Sequence, residues 1–216
     1  GAAEEPDARD RFLSRIEQAS LRLQRLLHDL LALARLEARG VEPTKEWVSL
    51  DDLVRQGVAG HSAYLEAKRV EVDARLQPIR LTGDAHWIRR AVDNLLSNAI
   101  RYSPEGAAIT LELETDGDFA TLRIRDRGPG IDVGQHGQVF ERFVTDRREP
   151  NQTGLGLAIV RSVAEVHGGG ARVSETVGEG ACIEMWMLTG SGVSRGSLAP
   201  SDSTKGHRDR GRSPGP

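Results

Sequence analysis

Residues 93–106 read DNLLSNAIRYSPEG. On a helix Asn94, Asn98, Arg101 and Tyr102 stand at i, i+4, i+7 and i+8, so all four project from one side. Two carboxamides, a guanidinium and a phenol on one stripe suit an anion together with a hard cation. Carboxamide oxygens are ligands for Mg2+, which keeps several waters and takes few protein ligands. A solvated helix face shows the same spacing, so this stripe alone leaves both readings open.

Two glycine-rich pieces follow. In RDRGPGI, residues 125–131, Asp126 ends a strand pattern, and Gly128 and Gly130 flank Pro129 in a tight turn. A carboxylate there is an acceptor for an exocyclic amine, and the glycines let backbone approach a ligand closely. Turns rich in Asp and Gly are common, so this piece alone is weak. In TGLGLAIV, residues 153–160, Gly154 and Gly156 open a helix, where backbone N–H groups and the helix dipole can hold phosphate. It lacks the GxxxxGK[ST] pattern of a P-loop and does not follow a strand as a dinucleotide fingerprint would. Between these pieces lies VFERFVTDRREPNQ, in which Phe140 and Phe143 are expected to anchor a charged, mobile lid over about residues 144–153.

The elements that must position these pieces are legible as patterns. Apolar residues at 12, 16, 19, 23, 26, 30 and 33 step by fours and threes, a heptad repeat. Leu13, Leu27, Leu31 and Ala34 widen the stripe, as a helix of a four-helix bundle needs. The helix is expected over 10–39, about 45 Å long, and ended by Gly40 and Pro43. Residues 49–68 read as one helix capped by Ser49, and DAHWIRRAVDNLLSNAIRYS as another capped by Asp84. RVEVDARL and IRLTGD are short strands; AAITLELET and FATLRIRD form a hairpin through Asp116-Gly117. GLGLAIVRSVAEVHGG is helical, and ARVSETV with GACIEMWML closes the sheet through Gly178-Glu179-Gly180. The fold class is α+β: a two-layer α/β sandwich preceded by one long bundle-type helix.

Composition narrows the rest. A net charge of -3 gives no electrostatic footprint for nucleic acid. The single cysteine, Cys182, excludes an internal disulfide and fits a reducing compartment. No apolar run is long enough to span a membrane. The only methionines are Met185 and Met187, so a fragment or processed chain is expected. Residues 1–9 are expected to be a frayed, disordered leader. In 190–216, Gly, Ser and Pro supply 15 of 27 residues and no aromatic occurs, the signature of a disordered tail.

Taken in order, DNLLSNAIRYS resembles the N box, DRGPGI the first glycine box, VFERF the F box and TGLGLAIV the second glycine box of bacterial sensor histidine kinases. Their ATP-binding catalytic domain, of the Bergerat type, is shared with gyrase B, the Hsp90 chaperones and MutL. The resemblance runs from about residue 10 to 189, and the four boxes in order make it specific. It implies a catalytic domain over 40–189. It also implies that 10–39 is the second helix of the dimerisation and histidine-phosphotransfer hairpin.

By that resemblance the cofactors are ATP and Mg2+. Asn98 ligates the metal, with Asn94 beside it on the cation or phosphates, and Arg101 and Tyr102 contact phosphate and ribose. Asp126 reads the adenine amine, with Gly128, Gly130 and Ile131 shaping the pocket. Gly154, Leu155, Gly156 and Leu157 close over the phosphates. Arg101 stands where the family usually has lysine, and the lid keeps Arg147 and Arg148 without the usual serine/arginine-rich pattern. Hydrolysing members carry glutamate at the position of Asn94; an amide cannot deprotonate water, so the phosphoryl group is kept for a protein nucleophile.

The family's acceptor histidine lies on the first hairpin helix in a pattern like H-[ED]-L-R-x-P. HDLLAL, at 28–33, has only the His-acid pair, whereas RLLHDLLALARLE resembles the end of the second helix. His28 is therefore read as a surface residue, and no catalytic residue is assigned within this chain. The implied partners are a histidine-bearing hairpin and a response regulator. The region is expected in the cytoplasm of a protein held in the bacterial membrane by a portion not present here. Two rivals remain: a split kinase subunit acting in trans, and a degenerate nucleotide-binding module that transfers nothing. An anti-sigma serine kinase fits less well, because those lack the heptad helix.

Overall fold

The computed structural model describes residues 6–38, 45–145, 152–174 and 180–190. The sandwich forms as expected, with helices on one face of a mixed sheet. α1 (Pro6–Glu37) is followed by β1 (Glu46–Ser49), α2 (Leu50–Gly60), α3 (Ser62–Lys68), β2 (Glu71–Leu76) and β3 (Arg80–Gly83). Then come α4 (Ala85–Tyr102), β4 (Ala108–Asp116), β5 (Phe119–Arg125), α5 (Gly156–Val166), β6 (Gly170–Ser174) and β7 (Cys182–Leu188). Two short 3-10 turns, Val133–Gln135 and Gln138–Phe140, lie between β5 and α5.

The main sheet has the order β2-β4-β5-β7-β6, with β2 parallel to β4 and the other pairs antiparallel. Alternation along the strands decides which face the helices cover; it is strict in β4, whereas Thr121 of β5 and Cys182 and Glu184 of β7 are buried as well. Ile109, Leu111 and Leu113 of β4, Ala120, Leu122 and Ile124 of β5, and Ile183, Met185 and Met187 of β7 are all buried. They form one core with Ile88, Val92, Leu95 and Ala99 of α4 and Ile159, Val160 and Val163 of α5. Cys182 is buried, and that burial pushes its thiol pKa up, as a structural rather than a reactive cysteine requires.

Several local details differ from the sequence reading. α1 begins at Pro6, inside the stretch expected to be frayed, because proline suits the first turn of a helix. It ends at Glu37, so Gly40 and Pro43 lie outside the described residues, as do 1–5, 146–151, 175–179 and 191–216. The helix expected over 49–68 is broken at His61 into α2 and α3, and Arg69 at φ 50 turns the chain into β2. Ser49 precedes α2 as expected but caps no N–H; its hydroxyl donates to Asp51 (2.9 Å). β1 has no counterpart in the sequence reading. It pairs antiparallel with β3 in a separate two-stranded sheet, so IRLTGD is a strand but not one of the main sheet. Among the described residues no helix is long and apolar enough to cross a membrane.

α4 carries the polar stripe and is held at both ends. The Asp84 carboxylate accepts from His86 N (3.0 Å) and Trp87 N (3.3 Å), the expected N-cap. Its own N–H donates to Nε2 of buried His167 (3.0 Å), whose Nδ1 bonds Val163 O (2.7 Å), tying the start of α4 to the end of α5. At the other end Lys68 Nζ donates to the carbonyls of Ile100 (2.9 Å) and Arg101. A cation there suits the negative end of the helix dipole.

Candidate functional site

A cavity of about 930 Å3 lies between α4, the turn after β5, the start of α5 and the C-terminal half of α1. Asn94, Asn98, Arg101 and Tyr102 line it from α4, and the side turned to the sheet is the apolar one. The stripe is therefore a cavity wall, not a solvated helix face. Ser97, not singled out in the sequence, joins them. Among the described residues Asn94 Nδ2 is buried with no hydrogen-bond partner. An unpaired buried amide donor costs about 1–3 kcal/mol, a cost that a ligand acceptor removes. Tyr102 OH accepts from Gln152 Nε2 (2.7 Å), linking the end of α4 to the segment before α5.

Asp126 follows β5 directly and is 7% exposed. Its backbone N donates to Ala181 O (2.9 Å), continuing the ladder to β7. Its Oδ1 accepts from Gly128 N (2.8 Å) and Ala181 N (3.0 Å). Both donors converge on Oδ1; among the described residues no hydrogen bond is recorded to Oδ2, and Asp126 lines the cavity. Burial pushes the Asp126 carboxyl above its ordinary value, while the two N–H bonds work against that shift. A carboxylate in this state gains from one more donor.

Gly130, Ile131, Gly154, Gly156 and Leu157 also line the cavity. Gly128 and Leu155 do not. Gly128 stands behind Asp126 as its N–H donor, and the Leu155 side chain is fully buried in the core. Gly154 has φ +68, and a Cβ there would lie 2.7 Å from the Phe143 carbonyl carbon, so neither conformation nor space admits another residue. Its carbonyl accepts from Phe143 N (2.8 Å), pinning together the two ends of the segment expected to form a lid. Of the two phenylalanines expected to anchor that segment, Phe140 is buried. Phe143 is 62% exposed, and its backbone N–H makes the bond to Gly154. Arg147 and Arg148 lie outside the described residues.

Sequence reasoning missed the contribution of α1. Arg25 and Asp29 line the same cavity. Asp29 accepts from Arg90 Nη2 (2.8 Å) and from Thr153 Oγ1 (3.0 Å). No local pattern could have announced this, because the partners lie 61 and 124 positions away. His28, the neighbour of Asp29, is exposed.

The chemistry of the wall fits Mg2+ together with a polyphosphate: two carboxamides, one with an orphaned N–H, a guanidinium and a helix N-terminus. Among the described residues no cluster of His, Cys, Asp or Glu would hold a metal by itself.

Comparison with known proteins agrees with this architecture. Residues 83–190 match the family described as histidine kinase-, DNA gyrase B-, and HSP90-like ATPase. The sensor-like histidine kinase SenX3 of Mycolicibacterium smegmatis is 33% identical over 184 residues, covering 83% of this chain and 48% of its own length. The alginate biosynthesis sensor protein KinB of Pseudomonas aeruginosa is 33% identical over 178 residues, covering 82% of this chain and 30% of its own. The chain thus spans about half or less of these relatives. Among solved structures, the mycobacterial sensor histidine kinase MprB superposes with a TM-score of 0.60 at 31% identity, covering 68% of this chain and 98% of that one. Full-length ShkA, solved with AMPPNP, shares the fold with a TM-score of 0.73 at 24% identity, covering 88% of this chain and 40% of its own. The chain therefore belongs to the histidine kinase-, DNA gyrase B- and HSP90-like ATPase family, and its relatives there are sensor histidine kinases.

Proposed function

We propose that the chain binds Mg-ATP in this cavity as the catalytic region of a sensor histidine kinase. It donates the γ-phosphoryl group to a histidine outside these 216 residues, for relay to a response-regulator aspartate. The observation that carries this reading is Asp126: a buried carboxylate at the cavity wall, one oxygen accepting two backbone N–H groups and the other without a hydrogen-bond partner among the described residues. That oxygen accepts the adenine amine, and Ile131 and Leu157 give the ring apolar contact.

At the other end Asn94 Nδ2 donates to a phosphate oxygen, and the carboxamide oxygens of Asn94 and Asn98 hold the cation. When bound, Mg2+ neutralises charge on the transferring phosphoryl group. Arg101 adds a fixed positive charge, and Tyr102, oriented by Gln152, faces the ribose and phosphates. The N–H groups at the start of α5 favour anions. Asn94 cannot take a proton from water, so this wall positions the nucleotide for a protein nucleophile rather than for hydrolysis.

In this reading α1 is the second helix of the dimerisation hairpin. Phe12, Ile16, Leu23 and Leu30, its heptad seam, are exposed here and become covered in a bundle. We place the region on the cytoplasmic side of a bacterial membrane, with sensor and anchor in another part of the protein.

The test mixes the chain with a hairpin bearing the acceptor histidine and γ-labelled ATP. Acid-labile label is expected on the hairpin only, with wild type and His28→Gln equally active. Label on this chain that disappears in His28→Gln would show that the acceptor was misassigned. Nucleotide binding without any transfer would leave a binding module.

A further inference from the structure

α1 lies outside the residues matched by the family model, yet it touches the cavity wall in a specific way. Arg25, Asp29, Leu33 and Glu37 follow one another at i+4 on a single helix face. Leu33 is buried against the core and Glu37 pairs with Arg142. Between them and Arg25, Asp29 uses both carboxylate oxygens. Oδ1 accepts from Arg90, one helical turn before Asn94 on α4. Oδ2 accepts from the Thr153 hydroxyl. That hydroxyl in turn accepts from Leu155 N (3.3 Å), the residue preceding α5.

A hydroxyl has one proton to give. Because Thr153 spends it on Asp29, its lone pairs are turned toward the Leu155 N–H. The chain of bonds therefore runs from α1 through Thr153 to the backbone that opens α5, where Gly154 and Gly156 line the cavity. The same carboxylate holds α4 through Arg90. Only 19% of the Asp29 side chain and 26% of the Arg90 side chain are exposed, so the pair is partly shielded from water and salt.

We infer that Asp29 is a positioning residue for the nucleotide site: it sets the Thr153 hydroxyl against Arg90 and thereby fixes the start of α5 relative to α4. This rests on the nucleotide reading of the cavity given above. Its consequence is reciprocal, because what α1 does to the affinity of the site, nucleotide does to the docking of α1.

The experiment uses the full chain and AMPPNP with Mg2+, in wild type, Asp29→Asn, Thr153→Val, Thr153→Ser and the Asp29→Asn/Thr153→Val double variant. Amide hydrogen exchange at Leu155 is followed without nucleotide, and dissociation constants are measured beside it. Asp29→Asn and Thr153→Val are each expected to weaken binding about three- to ten-fold, the worth of one oriented hydrogen bond. The double variant is expected to be no weaker than the worse single one, because both break one chain of bonds. Thr153→Ser keeps the hydroxyl and is expected to bind as wild type does. Leu155 exchange is expected to quicken in Asp29→Asn with no nucleotide present.

Wild-type binding that survives both single changes unaltered would overturn the inference and leave the nucleotide reading standing. So would additive losses, or failure of Thr153→Ser to rescue. A wild type that binds no nucleotide would sink the reading of the cavity. Unchanged Leu155 exchange would then sink the positioning chain on its own.

Discussion

Asp126→Asn is expected to fold as wild type does and to bind adenine nucleotide about 100-fold more weakly, since a charge-assisted hydrogen bond contributes about 1.5–3 kcal/mol and each 1.4 kcal/mol is tenfold. The substitution separates shape from chemistry. Its carboxamide oxygen still accepts from Gly128 N and Ala181 N, so the turn after β5 keeps its scaffold. Its nitrogen, however, faces the cavity as a donor where an acceptor is required, and meets an amine that is also a donor. A fluorescent adenine nucleotide read by anisotropy measures the loss, and a thermal melt checks the fold. Asp126→Ala is a poorer test, because it strips the partner from both N–H groups as well.

The same carboxyl gives a pH dependence whose sign is determined. Burial raises the Asp126 pKa in the folded, nucleotide-free chain. The protonated group's contribution to stability is therefore fully present below the ordinary carboxylate pKa, and it is lost as pH rises through the raised folded value. Relative to Asp126→Asn, the wild type should gain stability on acidification through that window in denaturant titrations. Nucleotide affinity moves the opposite way. An ionised Oδ2 is the acceptor, so affinity falls as pH drops through the raised value.

The second large effect is steric. Gly180 has φ +103, and a Cβ built on it would stand 2.0 Å from the Asp126 carbonyl oxygen and 2.9 Å from its carbonyl carbon. Both are backbone atoms, so no rotamer change relieves the contact. Gly180→Ala adds overpacking of about 1–3 kcal/mol to backbone strain of about 1–3 kcal/mol. The loss of about 2–6 kcal/mol is read as a fall in the urea midpoint. Because the clash is with Asp126 itself, what folded protein remains is expected to bind nucleotide more weakly as well. A variant as stable as wild type would mean that the β5 and β7 ends can part without cost.

What was legible in the sequence follows the range of the forces involved. The Asn94–Tyr102 stripe was readable because a single helix sets all four positions by its own period. The alternation in β4, β5 and β7 fixed their buried face, since slipping one residue would turn every apolar side chain outward. The α1 heptad was readable for the same reason of period. β1 escaped because four residues carry too little periodicity and its pairing partner, β3, lies beyond two helices. The break at His61 escaped because the apolar spacing continues across it.

The parts of the site that escaped are those made by distant pairs. Asp29 shows only a His-Asp dipeptide on a helix; its bonds to Arg90 and Thr153 exist once α1 docks. Ser97 is not legible in the sequence, because serine is common on helix surfaces, although it stands one turn from Asn94. The glycine pattern around Leu155 points to a phosphate loop, but burial takes its side chain into the core, and its N–H bonds Thr153 Oγ1.

The most direct measurement of the central claim is a calorimetric titration of the wild-type chain with AMPPNP, run with Mg2+ and again with a chelator. Saturable binding with one site per chain, strengthened by Mg2+, is the predicted result. No heat and no change in thermal midpoint, from a chain shown to be folded, would contradict the assignment of this cavity to nucleotide.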